Sequence, residues 1–191
     1  AAIGRELLTK RGFDRAACES FGVGYAPNGW DVLTKHLRSL NFTIEELELA
    51  GLSKMGERGP IDKFRNRLMW PIKDISGDVV GFGARKLASD TEDQGPKYLN
   101  TSETPIYKKS QVLYGLDMAK KEIAKKRQVV VVEGYTDVMA CHLAGITTAV
   151  ATCGTAFGPD HIRIIRRLLM DDDAFRGEVI FTFDGDAAGQ K

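Results

Sequence analysis

The chain has 191 residues, 43% of them apolar and 28% charged, with 27 Lys and Arg against 26 Asp and Glu. That length can bury a real core in one or two domains, while the absence of any apolar run of roughly 18 residues or of a signal-peptide pattern argues against a membrane protein. Its three cysteines, Cys18, Cys141 and Cys153, are scattered with no C-x-x-C pair, which suits reduced cytoplasmic thiols and excludes a zinc site of their own.

Residues 1 to about 52 alternate helical patterns with Gly and Pro punctuation. Helices are expected over Ala1 to Lys10, Trp30 to Leu40 and Thr43 to Ala50, with a turn cluster at Gly22 to Gly29. Thr43 followed three residues later by Glu46 is a capping box. Leu68 to Ile75 and Val79 to Ala84, joined by Ser76-Gly-Asp78, predict a β-hairpin, with Pro71 pushing the first strand toward an edge or bulge. Ser89 to Pro96 is expected to be a mobile polar loop. Gly81-Phe-Gly83 lacks dinucleotide-fingerprint spacing and reads as close strand packing.

Beyond residue 113 three apolar runs, Val129 to Val132, Thr147 to Ala151 and Val179 to Phe183, alternate with helical patterns. The alternation predicts a parallel sheet of fully buried strands. Each run ends in a polar turn: Glu133-Gly-Tyr-Thr-Asp137, Thr152 to Thr155, and Asp184-Gly-Asp186. In a parallel sheet all three turns emerge at the carboxyl edge, where such folds bind ligands. Glu133, Asp184 and Asp186 would then converge. Like charges at roughly 4 Å cost on the order of 4 kcal/mol per pair at an effective dielectric of about 20, so the group calls for a cation or for protonation. Oxygen donors favour Mg²⁺ or Mn²⁺ over zinc.

Lys63, Arg65 and Arg67 recur at every second residue, so an extended chain would send them to one face. Lys97 and Lys108-Lys109 sit at loop edges within reach of a phosphate. Asp171-Asp-Asp173 precedes a strand and belongs to the opposite edge as a solvated loop, and His36, His142 and His161 lack partners at ligand spacing. Basic residues crowd Lys108 to Arg127 and acids crowd Met170 to Lys191, as expected of an enzyme that holds a polyanion and does metal chemistry on it.

Glu133-Gly-Tyr-Thr-Asp137, Gly154-Thr-Ala156 and Phe183-Asp-Gly-Asp-Ala-Ala-Gly189 resemble the TOPRIM domain of bacterial DNA primases of the DnaG type. Phe64-Arg-Asn-Arg-Leu-Met-Trp-Pro71, Gly81-Phe-Gly83, Pro96-Lys-Tyr-Leu-Asn100 and Tyr114-Gly-Leu116 resemble the subdomain that precedes it, so the likeness covers nearly the whole chain. It implies an α/β fold: a Rossmann-like parallel TOPRIM sheet over 113–191, truncated on its C-terminal side, preceded by a mixed α+β basic subdomain over 1–112.

The implied activity is de novo synthesis of short RNA primers on a single-stranded DNA template by two-metal nucleotidyl transfer, in the cytoplasm at the replication fork. By match to the motifs, Glu133, Asp184 and Asp186 organise Mg²⁺ or Mn²⁺, Asp137 supports them, and Glu133 also takes part in proton transfer from the attacking hydroxyl. Arg65, Arg67, Lys97 and Lys109, with Lys63 and Asn100, guide template and nucleoside triphosphates, and an alarmone nucleotide is a candidate competitor on the triphosphate path. Starting at Ala1 without Met and stopping at Lys191, the chain reads as an excised fragment. The family's zinc-binding domain, further acids and helicase-binding C-terminal domain are absent, so weak or no priming is expected of it alone. Strand cleavage by a TOPRIM nuclease or topoisomerase, and a non-catalytic nucleic-acid scaffold, are the competing readings.

Overall fold

Helix signals in the first fifty residues are local, and the structure uses them. In this computed structural model, which describes residues 2–170, 177–183 and 185, α1 spans Ala2–Lys10, α2 Arg15–Ser20, α3 Val32–Ser39 and α4 Ile44–Leu49. The Asp14 carboxylate accepts from Ala17 N at 2.7 Å to start α2. At α4 the expected capping box is complete, with Glu46 N donating to Thr43 Oγ1 at 3.2 Å and Thr43 N to Glu46 Oε2 at 2.7 Å. None of the described helices is long and apolar enough to cross a membrane.

The chain falls into two compact units, Ala1–Pro71 with Gly81–Tyr107, and Ile72–Val80 with Lys108–Lys191. β1 (Gly24–Ala26), β4 (Arg67–Lys73), β5 (Val79–Lys86) and β6 (Tyr98–Asn100) form an antiparallel sheet in the order β1-β4-β5-β6, with β4 as far as Pro71 and β5 from Gly81 belonging to the first unit, which also holds a hairpin of β2 (Ser53–Gly56) and β3 (Gly59–Asp62). The expected hairpin is therefore present, but its first strand is interior, not an edge. Pro71 is tolerated because β1 pairs only as far as Met69, leaving the strand uncovered beyond that point. Trp70 is fully buried, and Phe64 meets Phe82 edge-on at 6.4 Å. Gly81 sits where a Cβ would come within 3.2 Å of Thr101 and 3.3 Å of Tyr107, the close packing expected of Gly81-Phe-Gly83.

In the second unit β7 (Leu113–Tyr114), α5 (Leu116–Lys126), β8 (Gln128–Val132), α6 (Tyr135–Leu143), β9 (Ala149–Thr152), α7 (Pro159–Leu169) and β10 (Glu178–Thr182) follow in order. The sheet order is β10-β8-β9-β7, with β8 parallel to both β9 and β10, and β7 antiparallel to β9. Val129, Val131 and Val150 form one buried face with Leu116, Ala119 and Ile123 of α5 and Ile165 and Leu169 of α7. Each Val, Leu and Ile side chain among them contributes roughly 1.5–3 kcal/mol on burial. The third run departs from expectation: Val179 and Phe181 in β10 and Phe183 just after it are 39%, 48% and 42% exposed, because β10 is the outermost strand of the described sheet and not a fully buried one.

Candidate functional site

β8 is flanked on both sides by parallel partners, so the residue following it lies mid-edge at the carboxyl end of the sheet. That residue is Glu133, and it is exposed. Thr182 pairs with Val132, so β8 and β10 end level. Gly134 caps α6, and its N–H donates to Asp137 Oδ2 at 2.9 Å. Asp137 is thus a capping carboxylate in the first turn of the helix that Glu133 precedes, where negative charge also complements the helix dipole.

The neighbouring turn after β9 bends at Gly154, whose φ of +75° suits glycine, before α7 begins at Pro159. His161 is an internal cap: its Nδ1 accepts from Gly158 N at 3.1 Å, and its Nε2 donates to the carbonyl of Lys109 at 3.0 Å. His142 Nε2 bonds the Ala149 carbonyl at 2.9 Å. Both histidines are structural, as expected.

Asp184, Asp186 and the Asp171–Asp173 run lie outside the described residues. Among the described residues no three His, Cys, Asp or Glu side chains gather at metal-binding distance. An exposed carboxylate at the centre of the edge, beside a second one on the adjoining helix, still fits a hard divalent cation by donor type.

The basic residues 63, 65 and 67 do come together, but not by alternation on a strand. Between Asp62 and Arg67 the chain is a bent connection in which Asn66 takes the left-handed conformation, φ +49°. Lys63, Arg65 and Arg67 instead line one cleft of about 660 Å³ in the first unit, with Trp30, Lys54 and Pro96. Arg65 donates to the Asp62 carbonyl, and its guanidinium stands 4.6 Å from the Trp30 ring centroid. Lys63 donates to Ser102 Oγ. Arg67 is not an exposed ridge residue. It is 4% exposed, donates to the Pro96 carbonyl at 2.9 Å and meets Asp93 Oδ2 at 3.4 Å. Burial pulls its pKa down, partly offset by Asp93.

Lys97 is exposed next to Pro96, with its ammonium 6.0 Å from the Tyr98 ring, and Asn100 pairs with Gly83 in the sheet. Lys109 belongs to the second unit, in the short 3₁₀ turn Lys109–Gln111. Trp30 and Lys54 were not singled out from the sequence. Trp30 is 68% exposed, and an aromatic directly after Asn28-Gly29 was the available signal; a lone Lys54 offered none.

Comparison with known proteins places these features. The family model for the DNA primase catalytic core, N-terminal domain, matches residues 2–120, and that for the Toprim domain matches residues 127–191. The chain is 71% identical over 191 residues to a DNA primase of Streptomyces coelicolor, covering 100% of this chain and 29% of the length of that relative. The crystal structure of the RNA polymerase domain of Mycobacterium tuberculosis primase DnaG superposes with a TM-score of 0.94 at 60% identity, covering 100% of this chain and 61% of that one. The same domain in complex with a double-stranded DNA oligomer with a 6-nucleotide overhang gives 0.93 at 61% identity, covering 99% and 59%. With an exposed acid mid-edge on a parallel sheet and models that account for both parts of the sequence, the chain belongs to the DNA primase catalytic-core family and carries a Toprim domain.

Proposed function

We propose that this chain is the template- and nucleotide-handling part of a DNA primase, a template-directed RNA polymerase that makes short RNA primers on single-stranded DNA. The observation that carries the reading is Glu133, an exposed carboxylate at the centre of the carboxyl edge in a chain so similar to a primase RNA polymerase domain. Residues 113–191 would form the Toprim domain and residues 1–112 the basic subdomain before it.

Glu133, Asp184 and Asp186 would hold Mg²⁺ or Mn²⁺, with Asp137 supporting them from its cap position. When bound, the ions neutralise charge on the triphosphate and lower the barrier to attack by the 3′-hydroxyl. Glu133 would also take part in accepting the proton of that hydroxyl. Lys97 and Lys109 would draw in triphosphate by charge, and the cleft of Lys63 and Arg65 would hold the template backbone. Trp30, exposed beneath the Arg65 guanidinium, offers a stacking face that is indifferent to base identity. Phosphate contacts then supply affinity, and base pairing selects the nucleotide.

The test is Mn²⁺-dependent binding of a labelled nucleoside triphosphate to this chain, comparing wild type with Glu133→Gln and Lys97→Ala. Loss in both variants supports nucleotidyl transfer; metal-independent binding that ignores Glu133 points instead to a nucleic-acid scaffold. Metal-dependent nicking of DNA would point to the cleavage branch of the Toprim fold.

A further inference from the structure

Part of the lining of the basic cleft comes from the connection between β5 and β6, through Glu92, Asp93, Gly95 and Pro96. This segment was expected to be a mobile polar loop. It is strapped down by a lysine that lies inside it. Lys86, the last residue of β5, is 7% exposed, and its ammonium donates to Asp90 Oδ1 at 2.6 Å, to the Gly95 carbonyl at 3.0 Å and to the Asp93 carbonyl. Its backbone N–H donates to the Lys97 carbonyl at 2.8 Å, so one residue holds both the middle and the exit of the loop. Three acceptors match the three donors of an ammonium, which is what makes burial of the charge tolerable.

The loop is also a charge problem. It carries Asp90, Glu92 and Asp93 beside a cleft lined by Lys63, Arg65 and Arg67. Each carboxylate is engaged. Asp90 is met by Lys86, Glu92 accepts from Ser89 N at 3.1 Å and Ser89 Oγ at 2.8 Å, and Asp93 is shared between Arg67 Nη2 and Gly95 N. Left unanchored, these acids would compete with phosphate for the cleft's cations.

We propose that Lys86 is a positioning residue for nucleic-acid binding: it fixes the 88–96 loop as a wall of the cleft and cancels loop charge that would otherwise oppose a phosphate backbone. This rests on reading the cleft as a nucleic-acid site, and it adds a residue that touches no nucleic acid itself.

The test uses the 191-residue chain and fluorescein-labelled oligothymidylate at low salt, with amide hydrogen exchange read in the absence of DNA. Lys86→Met is expected to speed exchange across residues 87–96 and weaken binding about 3- to 10-fold, the scale of one uncompensated charge near phosphates. Lys86→Arg should keep both near wild type, and adding Asp90→Asn to Lys86→Met should recover much of the affinity, which a general loss of stability would not allow. If Lys86→Met does not fold, Gly95→Ala reports on the same loop, since its Cβ would come within 2.8 Å of Asp93 Oδ1 and 3.2 Å of Arg67 Nη2. Wild-type affinity despite faster exchange, unchanged exchange, or no rescue by Asp90→Asn would each overturn the role of Lys86. Should Lys63→Ala and Arg65→Ala also bind normally, the cleft reading falls and takes the proposal with it; should they weaken binding while Lys86→Met does not, only the positioning role falls.

Discussion

Asp62 caps α3 from a different element: its Oδ1 accepts from both the backbone N–H and the hydroxyl of Thr34, at 2.8 and 2.7 Å, while its Oδ2 takes Leu33 N at 2.8 Å. Asp31, the residue in the N-cap position, makes no side-chain cap bond. Asp62 is 2% exposed, its N–H donates to the Trp30 carbonyl at 2.7 Å, and its carbonyl accepts from Arg65. One buried aspartate therefore fixes the helix start through its carboxylate, and holds the Trp30 carbonyl and the Arg65 guanidinium through its backbone. Asp62→Ala strands three donors, two of them buried, and should destabilise the fold by roughly 2–4 kcal/mol. Asp62→Asn, which keeps one acceptor, should lose about half as much. Urea midpoints with unchanged slopes check both values.

Glu133 is an exposed carboxylate at the end of β8. Glu133→Gln should therefore change stability by less than about 0.5 kcal/mol, as surface substitutions commonly do, while reducing Mn²⁺ affinity at least tenfold. Asp137→Asn should differ by losing charge at the cap and about 0.5–1 kcal/mol of stability. Calorimetric Mn²⁺ titration beside thermal melts separates the two; equal stability losses would contradict the assignment of roles.

The tyrosine pair at β7 and α6 gives a pH dependence. Tyr114 and Tyr135 pack edge to face at 4.8 Å, and the Tyr114 hydroxyl is buried with no hydrogen-bond partner among the described residues. Burial, then Asp117 and Cys153, raise its pKa well above the ordinary tyrosine value. Below pH of about 10 the phenol keeps its proton in folded and unfolded chains alike, and its contribution to stability is complete. Above that, the unfolded chain loses the proton first, so stability falls with rising pH by up to about 1.4 kcal/mol per unit. Tyr114→Phe should remove this component and leave stability near neutral pH equal or higher by up to about 1 kcal/mol, because it deletes an unpartnered polar atom. Urea midpoints at pH of about 8 and about 10.5 read both effects.

What could be read from the sequence was local or periodic. The Thr43 and Glu46 box, the β8 and β9 runs and the turn at Glu133 are each written in consecutive residues. What escaped depends on partners far along the chain. Gly24–Ala26 is a strand because it pairs with Arg67 to Met69, since Tyr25 alone of its three residues favours extended structure. The convergence of Lys63, Arg65 and Arg67 was expected from alternation but is produced by a left-handed Asn66 and a cleft. Lys86 reads as a solvated charge until the loop that supplies its acceptors is in place. The exposure of β10 was missed because an apolar run announces a strand but not its position in a sheet.

Gly115 joins the core of the second unit to the carboxyl edge of its sheet. It precedes α5 with φ +82°, and a Cβ there would stand 2.9 Å from Val138 Cγ1 and 3.4 Å from the Ala149 carbonyl. Two penalties then add. A non-glycine residue in the left-handed region costs roughly 1–2 kcal/mol, and crowding a packed core typically costs about 1–3 kcal/mol more. Val138 and Asp137 are adjacent on α6, whose first turn carries the Gly134 cap that follows Glu133. β9, on the other side of the contact, cannot yield without disturbing its pairing with β8. The strain of Gly115→Ala should therefore pass into α6 and shift the Glu133 turn. We expect a stability loss of roughly 2–5 kcal/mol together with weaker Mn²⁺ binding, even where the variant is fully folded. A variant that loses stability but binds Mn²⁺ with unchanged affinity would show that the turn is insulated from the helix packing behind it.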